Sequence, residues 1–387
     1  NSLHIAWSQV IRTDIQASVF MLGSLIIAAR AARDPRLRDY LLAGALAGLA
    51  IATKWPAATV FVAVIGSFVL ARRDQSTPAW WLPAAALAGL VAMVAASPFL
   101  ILDWRTVLDN VGGEMKTGHL AHNGGNFLAN LLYYLGDPVA GSMGAVGLTL
   151  AIAGLAWSAR TSPVARWTMI PATLLFLALI VSQDIIWSRW VLPVMPMLAI
   201  GAAFAIVQVA RRVANRWAIA ALAVAVSAAP VVAAVGQARE RANDTRARAA
   251  AWARAHIPSG STVVFEHLEL SLRDQPWTIL FPIGRAGCVD GVALLAGGVD
   301  FDEVQSLRGA SPIIDLGNVA PNRMESCFAD FAILAYHDLY QVEAKRYPAE
   351  IATYRRLLAG GRTVALFRPQ QGRSGGPVVR IVALEKR

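Results

Sequence analysis

Apolar stretches separated by short arginine-rich loops fill the first 236 residues. A spanning helix takes about 20 apolar residues. Eight stretches approach that length: Ile15–Ala32, Tyr40–Thr53, Ala57–Ala71, Ala79–Leu100, Val139–Trp157, Trp167–Ser182, Trp190–Ala210 and Trp217–Val235. After Gly236 the pattern changes to charges, turns and short alternating apolar runs. That pattern predicts strands near Thr262–Phe265, Phe331–Ala335, Thr363–Phe367 and Val378–Leu384, and a helix over Pro348–Leu358 stopped by Gly360-Gly361. The predicted fold class is an α-helical polytopic membrane protein over residues 1–236 with a small C-terminal α/β soluble domain over residues 237–387.

Lysine and arginine in short loops set the orientation of such a chain. The loops with Arg30, Arg33, Arg36 and Arg38, with Arg72-Arg73, with Arg160 and Arg166, and with Arg211, Arg212 and Arg216 are expected on the cytoplasmic side. Asp14, the Thr53-Lys54-Trp55-Pro56 turn, Asp103–Pro138, Asp184–Arg189 and the C-terminal domain then fall on the other side. A single span from Tyr40 to Ala71 would be about 48 Å long at about 1.5 Å per residue, too long for a hydrocarbon core of about 30 Å. It would also invert the later loops, where seven basic residues oppose three (Arg105, Lys116 and Arg189). A hairpin of two short helices turning at Lys54 is therefore expected. Between Asp103 and Pro138, the spacing of Phe127, Leu128, Leu131, Leu132 and Leu135 predicts a helix lying in the interface.

Composition supports the membrane reading. The chain is 56% hydrophobic and 16% charged, against roughly 25% charged in soluble domains, and its mean hydropathy is +0.49. The net charge of +10 does not imply nucleic acid, because most arginines punctuate apolar stretches. Arg239, Arg241, Arg246, Arg248 and Arg254 form a second cluster with no interleaved aromatic but Trp252, which fits a solvated helix face. The sequence starts at Asn1 and turns apolar almost at once, so it is read as a fragment continuing upstream.

Ionisable residues at the ends of apolar stretches are the candidate chemistry, because charge near hydrocarbon is costly. Asp14 follows Arg12 and opens a span. It is either a favourable charge at a helix start or a carboxylate aimed into an outward-facing cavity, acting as base or orienting an acceptor. Lys54 either snorkels or clamps a phosphate oxygen. Arg189 and Trp190 form either an interfacial anchor or a second cation facing the same phosphate. Asp184 is a further carboxylate on that side. His119 and His122 have spacing compatible with a metal but no evident third ligand, so no metal is assigned. Gly44 and Gly48 allow close helix approach. No Walker loop appears, which argues against an ATP-driven pump. Cys288 and Cys327 permit a disulfide if their domain is extracytoplasmic.

Several motifs carry a resemblance. They are Arg12-Thr13-Asp14 before a span, Leu41-Leu42-Ala43-Gly44 with Gly48-Leu49-Ala50-Ile51-Ala52-Thr53-Lys54, Ser97-Pro98-Phe99-Leu100-Ile101-Leu102-Asp103, Ser188-Arg189-Trp190-Val191-Leu192-Pro193, and Trp252 to Ser261. Their order resembles bacterial membrane glycosyltransferases of the C-type fold, within the protein O-mannosyltransferase and lipid A aminoarabinose transferase superfamily. The resemblance implies a polyprenyl-phosphate-linked sugar donor, a glycan, lipid or protein acceptor, and transfer on the outer face of a bacterial inner membrane, with the C-terminal domain periplasmic. It implies that Asp14 is the acidic residue of an early span, that Lys54 contacts donor phosphate, and that Arg189-Trp190 is the basic–aromatic pair, with Trp where Tyr is commoner. It also places the principal catalytic carboxylate in an earlier outer loop, upstream of Asn1. Arg12, Asp184 and His119 are secondary candidates. No cofactor is expected, with a divalent metal left open. Two rival readings remain: a transporter or flippase of lipid-linked sugars, and a non-catalytic membrane scaffold.

Overall fold

The computed structural model describes residues 2–8, 12–73, 77–114, 118–213, 215–266, 272–297, 303, 306–307 and 315–385. Asn1 and Lys116, used in the sequence argument, lie outside them. The chain divides into two compact units, one of residues 1–118 and 122–234, the other of residues 119–121 and 235–387.

The first unit is helical: α1 (Ser2–Ser8), α2 (Thr13–Ala31), α3 (Leu37–Thr53), α4 (Phe61–Arg72), α5 (Trp81–Ala96), α6 (Phe99–Leu102), α7 (Trp104–Glu114), α8 (Phe127–Tyr134), α9 (Ala140–Thr161), α10 (Pro163–Trp167), α11 (Met169–Val181), α12 (Met195–Arg212) and the start of α13 (Arg216–Ala242). Among the described residues, six helical stretches are long and apolar enough to cross a membrane: Thr13–Ala31, Trp55–Arg72, Phe127–Thr161, Pro163–Val181, Ser188–Arg212 and Arg216–His256. The chain is a multi-pass membrane protein. Two of the eight expected spans are shorter helices, α3 with 17 residues and α5 with 16. The expected stretch Ala79–Leu100 breaks after Ala96, where Ser97 leaves the helical region ahead of Pro98, as a residue before proline does. The helix expected at Phe127 runs through a π-turn at Leu135–Val139 containing Pro138 into the first turn of α9, and the helical backbone breaks at Gly144 (φ 75°, ψ 158°).

The Lys54 hairpin is present. α3 ends at Thr53, Lys54 is extended (φ −159°, ψ 118°), and a 3-10 turn, Trp55–Val60, leads into α4. Tyr40 near the start of α3 meets Phe68 near the end of α4, with ring centroids 6.1 Å apart, so the two helices run antiparallel. α3 lies parallel to α5 along a seam of small residues. A β-carbon on Gly44 would strike the Ala85 carbonyl, and one on Gly48 the Gly89 carbonyl, so these backbones touch as small-residue helix interfaces do. The Ser24 hydroxyl donates to the Ala43 carbonyl oxygen (2.8 Å) and joins α2 to α3.

Contacts place the arginine-rich ends together. Arg30 at the end of α2 pairs with Asp39 at the start of α3 (3.5 Å). Arg73 after α4 lies over Trp167 of α10, and Arg212 at the end of α12 over Trp157 of α9, both at 4.7 Å. Lys54 and Asp14 belong to the opposite end of α3 and α2.

The second unit contains the end of α13, α14 (Thr245–His256) and a six-stranded sheet. Its strands are β1 (Thr262–Phe265), β2 (Thr278–Pro282), β3 (Cys288–Asp290), β4 (Phe331–Leu334), β5 (Arg362–Phe367) and β6 (Val379–Ala383), in the order β3-β2-β1-β4-β6-β5. β2, β1 and β4 are parallel, and the other pairings antiparallel. The four expected strands and the helix Pro348–Leu357 are present. Gly360, with φ 81°, turns the chain after that helix in the left-handed region glycine tolerates. β2 and β3 were not expected: one ends in proline and the other has three residues. Cys288 and Cys327 form a disulfide.

Candidate functional site

Three segments of the first unit converge on one buried ion cluster. Asp14 is the second residue of α2 and is 2% exposed. Lys54 sits in the extended break that ends α3. Arg189 belongs to a 3-10 turn, Ser188–Val194, that leads into α12. The Lys54 ammonium donates to Asp14 Oδ1, and Arg189 Nε lies 3.6 Å from Asp14 Oδ2. The sequence set Lys54 and Arg189 as candidates for one phosphate; the fold adds Asp14 and makes residues 14, 54 and 189 one group.

The cluster carries one carboxylate and two cations, so its formal charge is +1. A buried charge persists only with partners, and each cation here has the carboxylate and an aromatic face. Lys54 Nζ lies 5.7 Å from the centre of the Trp190 ring. The Arg189 guanidinium lies 3.9 Å from Trp187 and 5.6 Å from Trp7. Among the described residues, no hydrogen bond is made by the terminal nitrogens of Arg189, whose side chain is 14% exposed. An arginine carries five N–H donors in a planar fork that suits carboxylate or phosphate, so the cluster has spare capacity for an anion.

Loop pairing builds the surroundings. Residues 122–124 run beside 184–186: the Gly124 N–H donates to the Asp184 carbonyl oxygen (2.8 Å) and the Ile186 N–H to the His122 carbonyl oxygen (2.9 Å). Asn130, 2% exposed, pins the same loops. Its Nδ2 donates to the Val181 and Gln183 carbonyl oxygens, each at 2.9 Å, and its Oδ1 accepts from the Gly125 N–H at 2.8 Å. The Tyr134 hydroxyl accepts from the Trp187 N–H (3.3 Å), and the His122 ring stacks on Trp187 at 3.4 Å.

Of the secondary candidates, Arg12 is an exposed residue preceding α2 whose charge acts on Arg189, and the others fall elsewhere. Asp184 is exposed and engages the loop pairing through its backbone. His119 belongs to the second unit and His122 to the first; His119 Nδ1 lies 3.0 Å from the Leu120 carbonyl oxygen. Among the described residues, no group of three or more His, Cys, Asp or Glu side chains gathers as a metal site would require. Trp7, Trp187, Tyr134 and Asn130 were missed. The run Trp187-Ser188-Arg189-Trp190 was the available signal for Trp187.

The second unit holds a different buried cluster. Glu266 follows β1 and accepts at Oε2 from the N–H groups of Ala335 (2.7 Å) and Tyr336 (2.9 Å), just past β4. Its Oε1 accepts from the Tyr354 hydroxyl and from the Leu316 N–H (3.3 Å). Asp315 accepts from the Tyr340 hydroxyl (2.8 Å) and from Asn318. Among the described residues, no salt bridge reaches either carboxyl. Burial pushes Glu266 up to about 7, helped by the neighbouring Asp315 charge, and burial pushes Asp315 up to about 6.

No curated protein and no solved structure matches the chain. Residues 2–102 match a family model described as dolichyl-phosphate-mannose-protein mannosyltransferase. The match spans α1 to α6, includes Asp14 and Lys54 but not Arg189, and supports a membrane glycosyltransferase of the mannosyltransferase-like kind.

Proposed function

We propose that the protein moves a sugar from a polyprenyl-phosphate-linked donor to a hydroxyl of a glycan, lipid or protein acceptor. In that reaction the bond between the sugar anomeric carbon and the donor phosphate oxygen breaks, the acceptor oxygen bonds to that carbon, and its proton passes to a base. The departing polyprenyl phosphate needs cations that are already in place. Lys54 and Arg189 supply them, and Asp14 orients both. For Asp14 to take the acceptor proton itself, its carboxylate has to yield at least one cation, which donor phosphate would draw off.

The observation that carries this reading is the +1 cluster with unfilled guanidinium donors at the bundle end opposite the arginine-rich loops. Positive loops stay cytoplasmic, so the reaction is assigned to the extracytoplasmic side of a bacterial inner membrane, with the C-terminal unit on that side. The Cys288–Cys327 disulfide fits an oxidising compartment. Sugar transfer by the full-length protein tests the reading, with wild type set against Lys54→Ala and Arg189→Ala. Lost transfer with normal membrane insertion is expected; wild-type rates in both variants reject it.

A further inference from the structure

Among the described residues, the Trp187 ring has as close planar neighbours the His122 imidazole at 3.4 Å, tilted by 24°, and the Arg189 guanidinium at 3.9 Å. Two groups of that thickness cannot share one face of an indole, so Trp187 is sandwiched between them. The column is built from the backbone outward. The paired loops set His122 opposite Ile186, and the Tyr134 hydroxyl receives the Trp187 N–H. Ala121, immediately before His122, has φ 62°, a region that residues with a β-carbon rarely adopt and that persists only where the surroundings hold it. The far end of the column is the guanidinium, whose Nε lies 3.6 Å from Asp14 Oδ2.

We propose that His122 and Trp187 are positioning residues for Arg189, and that their stack fixes the guanidinium plane so that its terminal N–H donors are presented to a phosphate monoester or diester. This rests on Arg189 being a phosphate ligand. An arginine on a flexible stem loses side-chain entropy on binding; stacking removes part of that cost beforehand. Trp187 is committed on both faces, so it is not a platform for the sugar ring.

The test is binding of a short-chain polyprenyl monophosphate to the full-length protein in detergent, by calorimetry. Trp187→Ala and His122→Ala are expected to raise Kd by about 3- to 30-fold, the range of a partly buried cation–π contact. Trp187→Phe and His122→Phe keep a flat ring and are expected to return Kd to within about three-fold of wild type. In an Arg189→Gln background, Trp187→Ala is expected to have almost no further effect, because contacting residues that act as one unit are not additive. Equal losses in both backgrounds overturn the proposal, since Trp187 would then act without Arg189. So does wild-type binding by Trp187→Ala and His122→Ala while Arg189→Gln is impaired. If Arg189→Gln binds as wild type, the phosphate reading of Arg189 fails, and this inference fails with it. Unchanged elution and thermal transition of each variant separate these results from misfolding.

Discussion

Replacing Glu266 with glutamine is expected to flatten the pH dependence of the C-terminal unit. Glu266 is 2% exposed, and burial lifts its pKa from 4.5 to about 7. A carboxyl whose folded pKa is raised stabilises the fold fully below its unfolded pKa and loses that contribution as pH rises through the folded pKa. Between those values the unfolded chain releases a proton that the folded chain keeps, at about 1.4 kcal/mol per pH unit. The rise from 4.5 to about 7 therefore removes on the order of 3 kcal/mol. Asp315, raised to about 6, acts in the same direction. Burial pushes His337 below the ordinary imidazole value, so it opposes them, and the wild-type-minus-variant difference isolates Glu266. With a urea dependence of about 1–3 kcal/mol per molar, the wild-type midpoint should fall by about 1–3 M between pH 5 and 8 relative to Glu266→Gln. Pulse proteolysis of the full-length protein in detergent, scored on the C-terminal fragment, reads that midpoint. Equal slopes in both proteins, or a wild-type midpoint that rises with pH relative to the variant, would refute the reasoning.

Two further outcomes follow from packing and covalent structure. Gly48→Val places a side chain against the Gly89 carbonyl and should cost about 1–3 kcal/mol by forcing α3 from α5; an unchanged thermal transition in detergent would contradict the parallel α3–α5 seam. Replacing Cys288 and Cys327 together by serine removes a link across 39 residues and should destabilise the C-terminal unit by about 2–5 kcal/mol, read by the same proteolysis with Glu266 intact; an unchanged urea midpoint would show that the link contributes nothing.

Much of the architecture was legible because its signals are local. Arginine-rich loops, the Pro56 break after Lys54 and alternating apolar runs mark the hairpin and four strands directly in the chain. The break at Ser97-Pro98 was hidden by apolar residues on both sides, and β3 is too short to show a period. The site was half legible. Asp14, Lys54 and Arg189 stand out because charge beside apolar runs is costly, but their meeting depends on the packing of α2 and α3 and on the turn before α12. Asn130 and Tyr134 look ordinary in sequence, since only the fold aims one at the Val181 carbonyl and the other at the Trp187 N–H. The Glu266–Asp315 cluster needed the sheet order, which brings the ends of β1 and β4 side by side.

The most direct test of the central claim follows a labelled sugar from a polyprenyl-phosphate donor in membranes containing the full-length protein. Wild type is expected to transfer label to an acceptor and release one polyprenyl phosphate per sugar moved, with Lys54→Ala and Arg189→Ala slower by about 10²-fold or more, as when preorganised charge is removed from a leaving group. Label that crosses the membrane still attached to its lipid, or transfer at equal rates in all three proteins, would contradict the account.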